Sequence, residues 1–229
     1  MTFHSTILID LDGTLVDSVA GIHVAAVAAA EATGSSAPTI EFVRDAIGRG
    51  ADRLVHRVCS ERHDGMIDEE SHARARRRFD EVYVDACLAG TVLRSGAVTA
   101  LETLRREGRR LVVATNKPRP PAAVVLRHLG IEDLVDRLVC PDDTGVAKPD
   151  PRFVEIAVGE GPIGAALLVG DSSIDSATAR AAGIPFIAIR GGYDVGRRIE
   201  KVVPPPARII DEPGGLPEAV HSLDADRRE

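Results

Sequence analysis

Four short apolar runs are the clearest feature of the hydrophobic and polar pattern along the chain. Each run is rich in Val, Ile and Leu, is bounded by polar turn residues, and is continuously apolar instead of alternating. Continuous apolar runs are typical of parallel strands that are buried on both faces of a sheet. The predicted strands are Thr6–Asp10, Arg110–Thr115, Ala166–Gly170 and Phe186–Arg190, with weaker candidates at Leu138–Cys140 and Arg208–Ile210.

Helical patterns lie between several of these strands. The segment Gly96–Glu107 places its apolar residues on one face, and Gly108 follows where a left-handed end cap belongs. Two more segments end in the same way, at Gly130 and Gly183. Strands and helices in succession predict an α/β fold with a doubly wound parallel sheet. The helices predicted here are Gly96–Glu107, Pro121–Leu129 and Ser176–Ala182.

The segment from residue 18 to residue 89 breaks this rhythm, because it contains no convincing strand. Four helical patterns fit it instead, so we predict a helical domain inserted after the first strand. The predicted domains are therefore a core of residues 1–17 and 90–229 and a helical cap of residues 18–89. The four predicted helices are Val19–Thr33, Ile40–Ile47, Ala51–Glu61 and Asp68–Leu88.

Composition and charge narrow the expected partners. The formal net charge of −7 argues against general nucleic-acid binding, which favours a basic face. Three widely separated cysteines without metal-type spacing indicate reduced packing residues in a cytoplasmic protein. No apolar run reaches membrane-spanning length. We expect neither nucleic acid nor membrane as a partner, and either a monomer or a homodimer is compatible with the sequence.

Polar residues follow the predicted strands in a particular pattern. In IDLDGTLVDS (Ile9–Ser18), Asp10 and Asp12 fall on one side of an extended chain, and two like charges there need a cation, a shared proton or a chemical task. The alternative interpretation is a strand that ends in an acidic Asp-Gly turn. Three similar groups are Thr115-Asn116-Lys117-Pro118, Lys148-Pro149-Asp150-Pro151 and Gly170-Asp171-Ser172-Ser173-Ile174-Asp175.

These groups are expected to converge, because ligands of open α/β sheets bind beyond the carboxyl ends of the strands. Four carboxylates in one crevice would repel without a hard cation, and Mg²⁺ with a substrate phosphate suits them. A Thr hydroxyl, a Lys ammonium and the loop amides near Gly13 can hold phosphate oxygens. One carboxylate can attack phosphorus, while another protonates the leaving alcohol and later activates water. The four carboxylates are Asp10, Asp12, Asp171 and Asp175.

The stretches IDLDGTL, TNKP, KPDP and GDSSID resemble, in this order, the four motifs of the haloacid dehalogenase-like hydrolase superfamily. The resemblance implies a Rossmann-like core with an inserted helical cap, and Mg²⁺ as cofactor. It implies that Asp10 is the nucleophile and a metal ligand, and that Asp12 is the general acid/base, with its backbone carbonyl on the metal. It further implies phosphate positioning by Thr115 and Asn116, charge neutralisation by Lys148, and metal binding by Asp171 and, directly or through water, Asp175.

The residue at position 12 indicates which branch of this superfamily the sequence resembles. Dehalogenases lack an acid there, because a halide needs no proton, so Asp12 favours a phosphotransferase. TNKP, with Lys117 at the substrate, resembles the phosphoglycolate phosphatase branch, and so do the stretches 47–55, 90–93 and 181–196. Residues 93–96 depart from the Pro-rich turn usual in that branch. The resemblance implies a phosphatase for a small phosphorylated metabolite, an acid such as 2-phosphoglycolate.

The loop Gly48-Arg49-Gly50 has two interpretations. It is either a plain turn between helices or a loop that folds over the crevice. In the second interpretation Arg49 meets a substrate carboxylate, because a planar guanidinium suits one. The backbone of Gly50 then approaches the ligand closely. A dinucleotide fingerprint is rejected, because the loop follows a helix and not a strand.

Other functions remain open at this point. A sugar phosphomutase of the β-phosphoglucomutase type shares Asp10, Asp12 and the cap, and a pyrophosphatase or nucleotide phosphatase would use the same chemistry. The non-enzyme alternative is an inactive module that binds a phosphorylated ligand. The intact acidic and basic motif residues weigh against that last alternative.

Overall fold

Six parallel strands form one sheet in the order β5-β4-β1-β6-β7-β8 in this computed structural model, which describes residues 4–193 and 199–226. A separate antiparallel pair, β2 with β3, lies where the chain leaves and re-enters the sheet domain. The strands are β1 (Thr6–Ile9), β2 (Val16–Asp17), β3 (Val92–Leu93), β4 (Arg110–Ala114), β5 (Arg137–Val139), β6 (Ala166–Gly170), β7 (Phe186–Ile189) and β8 (Arg208–Ile210).

Helices pack on both faces of the six-stranded sheet, and strand residues alternate between two apolar cores. Ile7 and Ile9 of β1 belong to one core, while Leu8 between them belongs to the other. This alternation explains the continuous apolar runs, because both faces of every central strand are buried. The predicted α/β fold with a Rossmann-like, doubly wound parallel sheet is therefore confirmed.

The strands and most helices lie within a few residues of their predicted positions. The helices are α1 (Val19–Thr33), α2 (Ile40–Ala46), α3 (Ala51–Cys59), α4 (Glu69–Gly90), α5 (Ala97–Arg106), α6 (Arg119–His128), α7 (Pro141–Thr144), α8 (Pro151–Val158), α9 (Ser173–Ala182) and α10 (Leu216–Asp226). No helix within the described residues is long and apolar enough to cross a membrane.

Two strands and three α-helices of the described residues were not predicted from the pattern. They are β2, β3, α7, α8 and α10. Strands of two residues are too short to give a periodic signal. Helix α8 begins inside the KPDP motif, where Pro151 occupies its first turn and Asp150 caps it by accepting from the Arg152 amide at 2.9 Å.

Helices α1 to α4 form the segment between β2 and β3. Helices α1 and α4 cross closely, because a Cβ at Gly21 would lie 2.5 Å from the Ala86 carbonyl oxygen and one at Gly90 would lie 2.4 Å from the Gly21 nitrogen. This crossing lies directly beside the β2–β3 pair. The segment that leaves the sheet through β2 and the segment that returns through β3 are therefore held next to each other. The division into domains at residues 17/18 and 89/90 stays a prediction.

Candidate active site

Three acidic or polar residues follow directly on three neighbouring strands. Asp10 comes after β1, Thr115 after β4 and Asp171 after β6, and these strands are adjacent in the sheet. Parallel strands end on the same edge, so the three side chains share one crevice. All three residues are buried, Asp10 with 9% of its surface exposed and Asp171 with 2%.

Asp10, Asp171 and Asp175 form a buried carboxylate group. One oxygen atom of each lies within 4.8 Å of the others, an arrangement that could hold a metal ion. Burial is the main cause that raises the pKa of Asp10 and of Asp171 well above the usual range of an aspartate, and the neighbouring carboxylates add to it. The group is therefore costly as three free anions and needs compensating positive charge.

Two glycines allow the chain to approach Asp171. A Cβ at Gly13, which has a φ of 88°, would lie 2.4 Å from Asp171 Oδ2, and one at Gly192 would lie 2.2 Å from it. Thr14 Oγ1 donates to Asp171 Oδ1 at 2.6 Å, and the Tyr193 backbone N–H donates to Oδ2 at 2.6 Å. Both oxygens of this carboxylate are thus held in a fixed orientation.

Lys148 supplies positive charge inside the group. Its Nζ atom donates to Asp10 Oδ1 at 2.7 Å and to Asp175 Oδ1 at 2.6 Å. Burial alone would lower the pKa of Lys148, but the two carboxylates outweigh burial and raise it, so the ammonium stays charged. The second oxygen of Asp175 accepts from the hydroxyl and the backbone amide of Ser172, which caps α9.

Asp12 is held apart from this group by a different set of partners. Its Oδ1 atom accepts from Ser18 Oγ at 2.6 Å and from Lys117 Nζ at 3.1 Å, and Lys117 also lies 3.3 Å from Oδ2. The Lys117 side chain has 0% of its surface exposed. Its ammonium donates at 2.7 Å to the hydroxyl of Tyr83, which belongs to α4. Lys117 thus connects Tyr83 of the helical segment to Asp12, the predicted acid/base.

Asn116, in the TNKP motif, makes hydrogen bonds to the KPDP motif and to the helical segment. Its amide nitrogen donates to the carbonyl oxygens of Gly48 at 2.9 Å and Lys148 at 3.0 Å. Its amide oxygen accepts from the Lys148 backbone N–H at 2.9 Å. The side chain thereby fixes the backbone that carries Lys148 and contacts the loop between α2 and α3.

A cavity of about 50 Å³ opens between the strand ends and the helical segment. Asp10, Asp12, Lys117 and Lys148 line one side, and the helical segment adds a mostly apolar wall that includes Ile22, Leu54, Phe79 and Tyr83.

The predicted cap loop contributes its glycines but not its arginine to this lining. Gly48 and Gly50 line the cavity, whereas Arg49 is exposed and does not line it. Contact between Arg49 and a substrate stays a prediction. In the stretch 181–196, which resembles the phosphatase branch, residues 194–196 lie outside the described residues.

Comparison with known proteins agrees with this geometry. The family model of the haloacid dehalogenase-like hydrolases matches residues 4–183. The chain belongs to this family. A phosphoglycolate phosphatase of Cereibacter sphaeroides is 36% identical over 187 residues, which are 82% of this chain and 85% of that protein. A plasmid-encoded phosphoglycolate phosphatase of Cupriavidus necator is 39% identical over 192 residues, 82% of each chain.

A solved structure of a predicted phosphoglycolate phosphatase from Haemophilus somnus shares the fold of this haloacid dehalogenase-like hydrolase. It has a TM-score of 0.85 and 25% identity, and the match covers 95% of this chain and 98% of that one. The comparisons confirm the predicted superfamily, its phosphoglycolate phosphatase-like branch and the enzyme class, a phosphatase. The roles of the individual site residues stay predictions.

The sequence assigned no role to Ser18 or Tyr83, which make hydrogen bonds with Asp12 and Lys117. For Tyr193 it left two interpretations open, a place at the border of the site or packing of its loop, and the Tyr193 backbone N–H donates to Asp171. Tyr83 carried a weak signal, because it lies four residues after Phe79 on one helix face. That spacing indicates a core contact and says nothing about a hydroxyl partner.

Proposed function

We propose that this protein is a Mg²⁺-dependent phosphomonoester hydrolase that works through an aspartyl-phosphate on Asp10. One observation carries the proposal: the buried Asp10 carboxylate contacts the Lys148 ammonium beside a potential cation site, while Asp12 is held separately. A carboxylate in this setting is suited to nucleophilic attack on phosphorus. Family membership and the names of the relatives support the same reaction.

The proposed reaction has two half-reactions. In the first, an Asp10 oxygen attacks phosphorus, the bond from phosphorus to the leaving oxygen breaks, and Asp12 donates a proton to that oxygen. In the second, Asp12 takes a proton from water, the water oxygen attacks phosphorus, and the bond from phosphorus to Asp10 breaks. The products are an alcohol and inorganic phosphate, and Asp10 returns as a carboxylate.

We infer different roles for the two residues of the predicted phosphate-positioning pair. Thr115 lines the cavity, and its hydroxyl oxygen accepts from the Lys117 backbone N–H at 3.1 Å, so its hydrogen remains for a phosphoryl oxygen. The Asn116 side chain donates to backbone carbonyls and accepts from a backbone amide. It acts by positioning Lys148, whose ammonium neutralises the nucleophile and the phosphoryl group.

The buried carboxylates fit Mg²⁺. Asp10, Asp171 and Asp175 offer hard oxygen donors, and the high pKa of Asp10 and Asp171 shows how strongly burial disfavours their anionic forms without a cation. Asp10 and Asp171 would bind it directly, and the contact of Asp175 is direct or through water. The predicted contact through the Asp12 backbone carbonyl is part of this proposal. Bound there, Mg²⁺ supplies charge neutralisation for phosphoryl oxygens.

The relatives supply the evidence on the substrate. Relatives with 36% and 39% identity are phosphoglycolate phosphatases. We therefore propose 2-phosphoglycolate, a small phosphorylated acid, as the substrate.

A panel of phosphate esters assayed with Mg²⁺ and with a chelator tests this proposal. We expect the highest kcat/KM for 2-phosphoglycolate, release of inorganic phosphate, and a loss of at least about a hundredfold in rate with chelator that Mg²⁺ restores. Hydrolysis that is indifferent to chelator would contradict the metal requirement. An isomerised ester in place of inorganic phosphate would indicate a phosphomutase instead.

A further inference from the structure

The Tyr83 hydroxyl is a polar group that the proposed mechanism leaves unused. Tyr83 lies on α4 with 6% of its surface exposed, and it lines the same cavity as Asp10. Its neighbours on that wall are apolar, among them Ile22, Leu54 and Phe79. A buried hydroxyl on an apolar wall is a place where a ligand gains a specific contact.

Within residues 4–193 and 199–226, no acceptor is found for the hydrogen of this hydroxyl. Lys117 Nζ lies 2.7 Å from the Tyr83 oxygen, and an ammonium can only donate, so the oxygen accepts in this contact. Among the described residues Lys117 is the hydrogen-bond partner of this hydroxyl. The tyrosine therefore keeps one donor for a group inside the cavity.

Lys117 is the positively charged residue next to Tyr83 in the lining of the cavity. Its ammonium lies 4.7 Å from the centre of the Tyr83 ring and 3.1 Å from Asp12 Oδ1. An ammonium has three N–H donors, and among the described residues Lys117 donates to Asp12 and Tyr83, so it can also donate to an anionic group in the cavity that it lines.

We propose that Tyr83 and Lys117 bind the carboxylate of the substrate, and that the Tyr83 hydroxyl is the specificity-determining donor. This inference rests on the proposed function, because it concerns the organic end of the ester whose phosphoryl group reacts at Asp10. It assigns to this pair the contact that the sequence predicted for Arg49, which is exposed and does not line the cavity. The substrate class is a phosphate ester with a carboxylate one or two carbons from the ester oxygen.

The test compares two esters of equal length. In 2-hydroxyethyl phosphate, a neutral CH₂OH group replaces the carboxylate of 2-phosphoglycolate. Tyr83→Phe removes only the hydroxyl, and Asp85→Asn, on an exposed position of the same helix, is the control. Kinetic constants with Mg²⁺ are measured for both esters, and circular dichroism checks that each variant is folded.

In Tyr83→Phe we expect kcat/KM for 2-phosphoglycolate to fall about tenfold, mainly through KM, and kcat/KM for 2-hydroxyethyl phosphate to change less than about twofold. The ratio between the two esters stays at the parent value in Asp85→Asn. An equal loss on both esters, or no loss, overturns the inference and leaves the proposed function intact. A ratio that collapses in Arg49→Ala and persists in Tyr83→Phe also overturns it.

The parent enzyme separates this inference from the proposed function. If the parent enzyme hydrolyses both esters equally well, this contradicts the proposal that 2-phosphoglycolate is the substrate. It also contradicts the proposal that Tyr83 and Lys117 bind a substrate carboxylate. A parent that prefers 2-phosphoglycolate supports the proposed function whichever way Tyr83→Phe behaves.

Discussion

The two aspartates of the first motif lie two residues apart but have different surroundings. Asp10 is paired with Lys148 and packed against two more carboxylates, whereas Asp12 is held by Ser18 and Lys117. We propose that Asp10, in the potential cation group, is the nucleophile and that Asp12, which lines the cavity, is the acid/base. Different neighbours thus allow two chemically identical side chains to take different roles.

Charge balance at the site leads to a prediction for Asp171→Asn. Mg²⁺ at about a hundred times its Kd is expected to stabilise the parent by about 2.7 kcal/mol, because it binds only the folded carboxylate group. In Asp171→Asn we expect most of this gain to disappear, because one ligand and one charge are lost. Thermal unfolding with and without Mg²⁺ measures the effect.

Asp85→Asn is the matched control for this experiment, since it removes one acidic charge from an exposed position. It should retain the full Mg²⁺-dependent rise in Tm. A rise of equal size in Asp171→Asn and in the parent would show that the cation binds elsewhere.

Among the elements, helix α1 is capped at its first turn by Tyr193, a residue that is distant in the sequence. The N-cap residue Ser18 makes no side-chain cap, and its hydroxyl points to Asp12, to which it donates. The Tyr193 hydroxyl takes its place, accepting from the backbone N–H groups of Ser18 at 2.7 Å and Val19 at 3.0 Å and donating to Asp17 at 2.6 Å. This contact fixes the passage from sheet to helices beside the site.

Tyr193→Phe is therefore expected to destabilise the protein by roughly 1–3 kcal/mol, because it leaves the buried Ser18 amide without an acceptor. Urea unfolding measures the loss. The loss should be the same with and without Mg²⁺, since the Tyr193 backbone N–H that binds Asp171 is retained. A loss that Mg²⁺ abolishes would contradict this account and place the effect at the metal site.

The turn after β3 shows which contacts could be predicted from the sequence and which could not. Arg94 stands where relatives of this branch usually carry a Pro-rich turn, and the sequence left its role open. In the structure its guanidinium donates to the carbonyl oxygens of Gly13 and Arg190 and pairs with Glu212. Those partners lie more than 80 residues away, and no local pattern encodes them.

Most of the sheet and the motif residues were predictable for a physical reason. Buried parallel strands require continuous apolar runs, and their ends must carry any polar chemistry, so Asp10, Thr115 and Asp171 were identifiable. The hydroxyl contacts of Tyr83 and Tyr193 were not, because each joins elements that are distant in the sequence. A helical pattern reports only which face is apolar.

Over the whole molecule, the start of the described chain is tied to its last helix. Asp224 of α10 accepts from the His4 backbone N–H and ring Nδ1, each at 2.8 Å, and pairs with Arg109 at 2.7 Å. Burial alone would raise the pKa of Asp224, but these hydrogen bonds outweigh it and lower the pKa below the ordinary 3.8. Asp224 thereby connects α10 to the residues that directly precede β1 and β4.

This linkage predicts a pH-dependent effect of Asp224→Asn. Because the pKa of Asp224 is lower in the folded chain, its stabilising contribution is complete above about pH 4 and is lost as pH falls through the folded pKa. We expect Asp224→Asn to lower the free energy of unfolding by roughly 1–3 kcal/mol near pH 7, with a smaller difference from the parent near pH 3.

Denaturant unfolding across this pH range measures the difference, and Asp133→Asn, at an exposed position, is the control. The control should differ from the parent by less than about 0.5 kcal/mol at each pH. A deficit in Asp224→Asn that grows towards acid pH would contradict the assigned direction of the pKa shift.

The sheet and the helical segment α1–α4 contact each other at the candidate site. Asn116 contacts the carbonyl of Gly48, and Lys117 contacts Tyr83, so the core and the helical segment bond directly across the cavity. We propose that this closed arrangement excludes bulk water during the first transfer and that it opens for product release.

The central claim is covalent transfer of the phosphoryl group to Asp10, and trapping that intermediate tests it most directly. The enzyme is mixed with 2-phosphoglycolate carrying a radiolabelled phosphoryl group, quenched in acid during turnover and digested for mass spectrometry. We predict an acid-stable, hydroxylamine-labile phosphoryl group on the peptide that contains Asp10, and none in Asp10→Asn. Inorganic phosphate released without any labelled peptide, or label on another residue, would contradict the account.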